Sequence, residues 1–228
     1  MDLSVIEYII IIIFVSMLVG ICCWKVVSSV KISKFNKTIS CNGICSIDMI
    51  NHLSDKYHIE DVNIVTTKNS EKSRYNCKEQ AIMIDNFTLD SSSIYSISSV
   101  IYLFSKMLLF RQNKSLSTFL YIMSIVNLVL NLIVLASITA TVVLDIFIVN
   151  LPSMNIFAII FGIYIIKTIL SVIACTIEQK NIKKIVGNID ILVDNDMYAS
   201  KRCLLCICYN NLTGIINLIV SALRKKSA

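Results

Sequence analysis

A chain of 228 residues that is 56% hydrophobic, 16% charged and carries a single proline is not an ordinary soluble domain, in which about a quarter of the residues are charged. With a mean hydropathy of +0.74, the composition points to an integral membrane protein whose first partner is the lipid bilayer. The net charge of +6 comes with no basic helix and no basic strand interleaved with aromatics, which excludes a nucleic-acid partner.

Basic residues gather in 25–114, 180–202 and 224–226 and avoid the apolar runs. That is the pattern of the positive-inside rule and of attraction to anionic headgroups. The nine cysteines are odd in number and lack the spacing of a secreted disulfide scaffold, so they read as reduced and mostly buried thiols. Cys203 and Cys206 form a C-x-x-C, and Cys41 and Cys45 are the one candidate second pair for a metal knuckle. A knuckle needs its four ligands in a polar loop, and buried helical thiols fit the first pair better.

In chain order, residues 1–24 read as an N-terminal membrane anchor. Leu3–Trp24 is apolar apart from Glu7, long enough to span, and has neither a basic n-region nor a small-residue cleavage site. Lys25, Lys31, Lys34 and Lys37 follow it, which places the N-terminus outside and residues 25–115 in the cytoplasm. Residues 25–90 read as a small cytoplasmic α+β segment. Ser46 caps a short helix through Tyr57 with Ile47, Ile50 and Leu53 on one side. Asp61–Thr67 and Gln80–Asp85 are two strands joined by the polar stretch 68–79.

Residues 91–228 read as a helical membrane domain. Its first helix, 91–110, is apolar nearly all round, but Tyr95, Ser99, Tyr102 and Lys106 fall at i, i+4, i+7 and i+11 and share one face. A lysine there needs a partner or a route to water. After a basic linker at 111–115 come apolar helices at 116–149, longer than the roughly 20 residues a span needs, and at 154–177. The turn between them, near Asp145 and Pro152, faces outward. Asn127 and Asn131, one turn apart, are expected to hydrogen-bond between helices, and Lys167 to face protein or water. A last apolar helix covers 204–223. If it spans, Arg224, Lys225 and Lys226 end outside, against the positive-inside rule; the alternative is a helix lying in the interface. The fold expected is mainly α: a polytopic helical membrane protein with a small cytoplasmic helix-plus-two-strand insertion.

Several local patterns together resemble the membrane-bound neutral zinc metallopeptidase family of bacteria (YugP-like). His58-Ile59-Glu60-Asp61-Val62 stands where that family has a helix followed by N-G-x-x-D-V. Ser73-Arg74-Tyr75-Asn76-Cys77 stands at its D-H-Y-D-P, keeping only the tyrosine, before the apolar strand Ala81–Ile84. Ser93-Ile94-Tyr95-Ser96 opens the helix that in the family carries H-E-x-x-H. Those positions fall on Tyr102-Leu103-Phe104-Ser105-Lys106, and the family's V-E-F-[DN]-A-S falls on Ile177-Glu178-Gln179-Lys180-Asn181-Ile182, keeping the glutamate.

The resemblance implies a zinc peptidase in the bacterial cytoplasmic membrane, with Tyr102 and Lys106 at the two histidine positions, Leu103 at the catalytic glutamate and Glu178 at the third ligand. In a zincin the histidines bind zinc and the glutamate activates water. Leucine cannot act as a base, and an ammonium repels a cation. The chain therefore reads as a degenerate, non-catalytic member without zinc, a pseudopeptidase that binds or regulates another membrane protein or protease.

Two placements of Lys106 stand at this point: its ammonium occupies the metal's place and pairs with Glu178, with Tyr102 as a hydrogen-bond partner, or it snorkels to the interface. Two other function classes also stand. One is an active peptidase using Glu178 with His52, His58 or cysteines. The other is a carrier built on Asn127, Asn131, Asp145 and Lys167.

Overall fold

A computed structural model describes residues 5–67, 73–77, 79–147 and 153–210. In chain order the elements are α1 (Val5–Lys37), α2 (Ser46–Lys56), β1 (Asn63–Thr67), β2 (Arg74–Asn76), β3 (Ala81–Asp85), α3 (Asn86–Asp90), α4 (Ile94–Gln112), α5 (Lys114–Phe147), α6 (Ser153–Val186) and α7 (Asp194–Tyr209). They group into two compact units. One comprises Met1–Val27, Tyr121–Ala174 and Tyr209–Ala228; the other comprises Ser28–Leu120 and Cys175–Cys208.

The second unit is a small sheet with helices packed on it. Its strand order is β1-β3-β2, with β1 parallel to β3 and β2 antiparallel to it. Tyr75 pairs with Ile82 in that register. The short strand β2 lies inside the stretch expected to be a plain connection, so the sheet has three strands and not two. Its sequence, Arg-Tyr-Asn, is too short and polar to announce itself by alternation. The central strand β3 buries Ala81, Ile82 and Ile84 completely. Ile82 and Ile84 join one core with Met49, Ile50 and Leu53 of α2 and Ile97, Ile101, Phe104 and Met107 of α4. The stretches 25–90 and 91–110, divided in the sequence reading, thus share a hydrophobic core.

Hydrogen bonds of local origin fix the element ends. The N-cap of α2 is Cys45, one residue before the expected Ser46. Its N–H donates to the Asp48 carboxylate at 3.0 Å, while the Ser46 hydroxyl donates to the Ser91 carbonyl at 3.1 Å. Asp85 caps α3 by accepting from the Thr88 N–H at 2.8 Å, and Ser93 caps α4 by accepting from the Ser96 N–H at 3.1 Å. The expected linker at 111–115 shrinks to Asn113 alone. That residue ends α4 and its side chain accepts from the Leu116 N–H at 3.0 Å to start α5.

Across the unit, Asp196 at the start of α7 is buried and accepts from the Ser40 hydroxyl at 2.8 Å and the Cys41 N–H at 2.7 Å. Lys56 pairs with Asp190 at 2.5 Å, joining the end of α2 to the turn after α6.

Among the described residues, three helical stretches are long and apolar enough to cross a membrane: Ile94–Gln112, Lys114–Val134 and Ala158–Val186. Two-thirds of the first is covered by protein, against 17% and 28% of the other two. Apart from one polar stripe, helix α4 is apolar because α2 and the sheet pack on it.

In the first unit, α5 and α6 instead turn Ile122, Ile125, Val129, Ile166, Ile169 and Ile173 outward. The Ser171 hydroxyl of α6 donates to Asn127 of α5 at 2.9 Å, and Lys167 is buried with its ammonium 5.4 Å from the Tyr164 ring centroid. Trp24 meets Tyr209 edge-on at 6.0 Å, and Lys25 donates to the Asn210 side chain at 2.9 Å.

The helix expected at 154–177 continues to Val186, so Glu178 belongs to a helix and not to a polar segment after it. The helix expected at 204–223 begins ten residues earlier, as α7; whether it spans, and its tail from 211 onward, lie outside the described residues, as does the side chain of Asp145.

Candidate functional site

The expected polar stripe of α4 is its least covered face. Tyr95, Ser99, Tyr102 and Lys106 are partly exposed, with Phe110 extending the row, and every other residue from Ile94 to Leu109 is buried. Two buried serines on this helix turn their hydroxyls back on the chain. Ser98 donates to the Ile94 carbonyl at 2.6 Å and Ser105 to the Tyr102 carbonyl at 2.7 Å, which hides their polarity within the helix.

Glu178 reaches this stripe from α6. Its two carboxylate oxygens are both engaged: Oε2 accepts from the Tyr102 hydroxyl at 3.0 Å, and Oε1 lies 3.3 Å from Lys106 Nζ. The same ammonium sits 4.5 Å from the Tyr102 ring centroid, in cation–π range. The Glu178 side chain is 11% exposed and that of Lys106 is 37% exposed. The carboxylate is therefore nearly dry, and the ammonium keeps a path to water. One turn further along α6, the Asn181 amide donates to the Ser105 carbonyl at 2.9 Å and fixes the register of the two helices.

Of the four family-site positions, three converge and one does not. Tyr102, Lys106 and Glu178 form a closed phenol–carboxylate–ammonium cluster. Leu103, one step round the helix, is buried in the hydrophobic core with Ile101 and Phe104. The other candidate ligands are not gathered there. Both histidines belong to the α2 region, where the His52 Nε2 is buried without a partner and His58 stands in the turn after the helix. Cys203 and Cys206 are separate buried thiols of α7. Among the described residues, no three His, Cys, Asp or Glu side chains come together as a metal group.

Two neighbours of the stripe escaped the sequence reading. Tyr75 of β2 lies 5.9 Å from Phe110 between ring centroids. Cys77, just after β2, feels the Lys106 charge; burial pushes its thiol above the ordinary range and Lys106 opposes part of that rise. The signal for both was the stretch Ser73–Cys77, which entered only through the resemblance. The buried Asp196 was also missed. It raises the Cys41 thiol, chiefly by hydrogen bonding and then by its charge, so Cys41 is a poorer thiolate and a poorer metal ligand than a free cysteine.

Each carboxylate oxygen meets one donor, Oε2 the Tyr102 hydroxyl and Oε1 the Lys106 ammonium, which leaves each oxygen a further lone pair. Comparison with models of protein families, with curated proteins and with solved structures finds no match to this chain.

Proposed function

We propose that this chain is an integral membrane protein of the bacterial cytoplasmic membrane that keeps the layout of a neutral zinc metallopeptidase site without its chemistry. It is a pseudopeptidase that needs no zinc and whose role is binding or regulation. The observation that supports this reading is the cluster in which the Lys106 ammonium stands 3.3 Å from Glu178, the residue to which the resemblance gives the third-ligand position. The exposed apolar faces of α5 and α6 support their crossing the bilayer, with α4 a core helix beside it and residues 25–115 on the cytoplasmic side.

In this reading the partner meets the partly exposed face of the stripe, where Tyr102 and Lys106 stand and Tyr75 of β2 packs beside Phe110.

The test is hydrolysis. The purified chain, incubated with zinc and an unstructured protein substrate, is expected to release no new peptides. Zinc-dependent cleavage that disappears in Glu178→Gln overturns the reading in favour of an active peptidase with unconventional ligands.

A further inference from the structure

Within the second unit, the end of α6 and α7 leave an apolar slot of about 360 Å³, in the size range of ligand-holding pockets. On α6, Gln179, Ile182, Lys183 and Val186 line it at i, i+3, i+4 and i+7; on α7, Lys201, Leu204, Leu205 and Cys208 do the same. Two helix faces with that spacing leave between them a groove shaped for a third helix, about 10 Å long at 1.5 Å of rise per residue. Its floor is apolar, Lys183 and Lys201 stand exposed at its rims, and no carboxylate is among the residues that line it. The Gln179 Nε2 is buried with no acceptor, a costly state for a donor. The groove therefore suits apolar side chains that arrive with anionic oxygens. Two nearby occupants fit it poorly. Along α6 the groove runs from Gln179 away from the apolar stretch 154–177, so with that stretch in the bilayer its walls lie on the cytoplasmic side, beyond the acyl chains. The chain's own end, 211–228, holds Arg224, Lys225 and Lys226 and no Asp or Glu, and like charge at the rims opposes it.

We propose that this groove takes an acidic amphipathic helix of a protein partner. Apolar side chains at i, i+4 and i+7 of that helix enter between Ile182, Val186 and Leu204, the span of two turns matching the length of the groove. Flanking carboxylates meet Lys183 and Lys201, and Gln179 donates to one of their oxygens. A basic helix with the same apolar face fills the same walls but sets like charges against both rims. The groove is a separate surface from the α4 stripe. The proposal deepens the binding role given above: it rests on a protein partner on the cytoplasmic side and is independent of whether the Lys106 cluster binds zinc.

The test uses the full chain in phosphatidylcholine nanodiscs and two fluorescein-labelled helical peptides of about four turns. Both carry leucine at i, i+4 and i+7; one flanks the leucines with glutamate and the other with lysine. Binding is read by anisotropy, with empty nanodiscs subtracted. The wild type is expected to bind one glutamate peptide per chain, about 10-fold more tightly than the lysine peptide, the effect of two rim charges. The double variant Lys183→Glu, Lys201→Glu is expected to reverse that preference. Leu205→Glu, at an exposed site where the fold tolerates it, is expected to weaken the glutamate peptide by about 10-fold or more. Equal affinity of the wild type for both peptides, or a preference unchanged in the double variant, overturns the proposal. A photoreactive side chain at Leu205 that labels lipid or residues 211–228 in place of the glutamate peptide also overturns it, because the groove then has another occupant. Mass spectrometry of the same samples separates this proposal from the non-catalytic reading. Peptide that stays whole and unbound overturns the groove alone, and peptide that binds with the stated preference and is then cleaved supports the groove and overturns the non-catalytic reading.

Discussion

At Glu178, two donors with different access to water share one carboxylate, and this makes the cluster's response to mutation asymmetric. Lys106→Met leaves a nearly buried carboxylate with only the Tyr102 hydroxyl, whereas Glu178→Gln leaves an ammonium that is already 37% exposed and can turn to solvent. Lys106→Met is therefore the more destabilising change. A double-mutant cycle on the two sites is expected to give a coupling of about 1–2 kcal/mol, between the values for exposed and buried pairs. Equal single-mutant losses in chemical denaturation, with no coupling, would mean the contact is incidental. The stripe of Tyr95, Ser99, Tyr102 and Lys106 was legible because helical spacing alone puts these four on one face. Glu178 beside Lys106 was one of two placements left open, suggested by the resemblance and not by spacing, because the polar run Glu178–Lys184 gave no sign that α6 continues through it.

At the scale of elements, the helices follow local rules closely enough for two further tests. Helix α2 ends with the Ile59 N–H donating to the Ser54 carbonyl at 2.9 Å and His58 at a φ of 52°. That left-handed position favours glycine, and a side chain there costs about 1 kcal/mol. His58→Gly is expected to raise stability by about that amount in thermal or urea unfolding. A loss would show that the imidazole has a binding task.

The Lys56–Asp190 pair gives a pH-dependent test. Hydrogen bonding to Lys56 holds the Asp190 carboxyl below its ordinary value. Its stabilising contribution is complete above the ordinary carboxylate value of about 4 and fades as pH falls through the lower folded value. The difference between wild type and Lys56→Met should be flat near neutrality and shrink in acid. A difference that grows in acid would refute the pairing. Strand β2 and the single-residue junction at Asn113 were illegible for a common reason: each depends on tertiary partners, β3 for the strand and two long helices for the junction.

For the whole molecule, composition made apolar helices of membrane length legible, but hydropathy could not tell an outward-facing apolar helix from one enclosed in a protein core. Both α4 and α5 are apolar runs, yet α4 is enclosed by α2 and the sheet while α5 turns its apolar side chains outward. Arginine placed on each separates them. Ile125→Arg on α5 is expected to reduce the membrane-integrated fraction after carbonate extraction, since a central arginine costs roughly 2.5–3.5 kcal/mol on the insertion scale. Ile97→Arg on α4, at a fully buried site, is expected to leave integration intact and abolish cooperative unfolding of the second unit. The reverse pattern would exchange their roles.

If, as proposed above, the Tyr102–Lys106–Glu178 cluster stands where a zinc peptidase holds its metal, restoring the ligands should restore zinc binding. The measurement is zinc per chain in the purified wild type and in the triple variant Tyr102→His, Leu103→Glu, Lys106→His. The account predicts none in the wild type and one zinc in the variant, lost again when Glu178→Gln is added. Stoichiometric zinc in the wild type, or none in a folded triple variant, would contradict it.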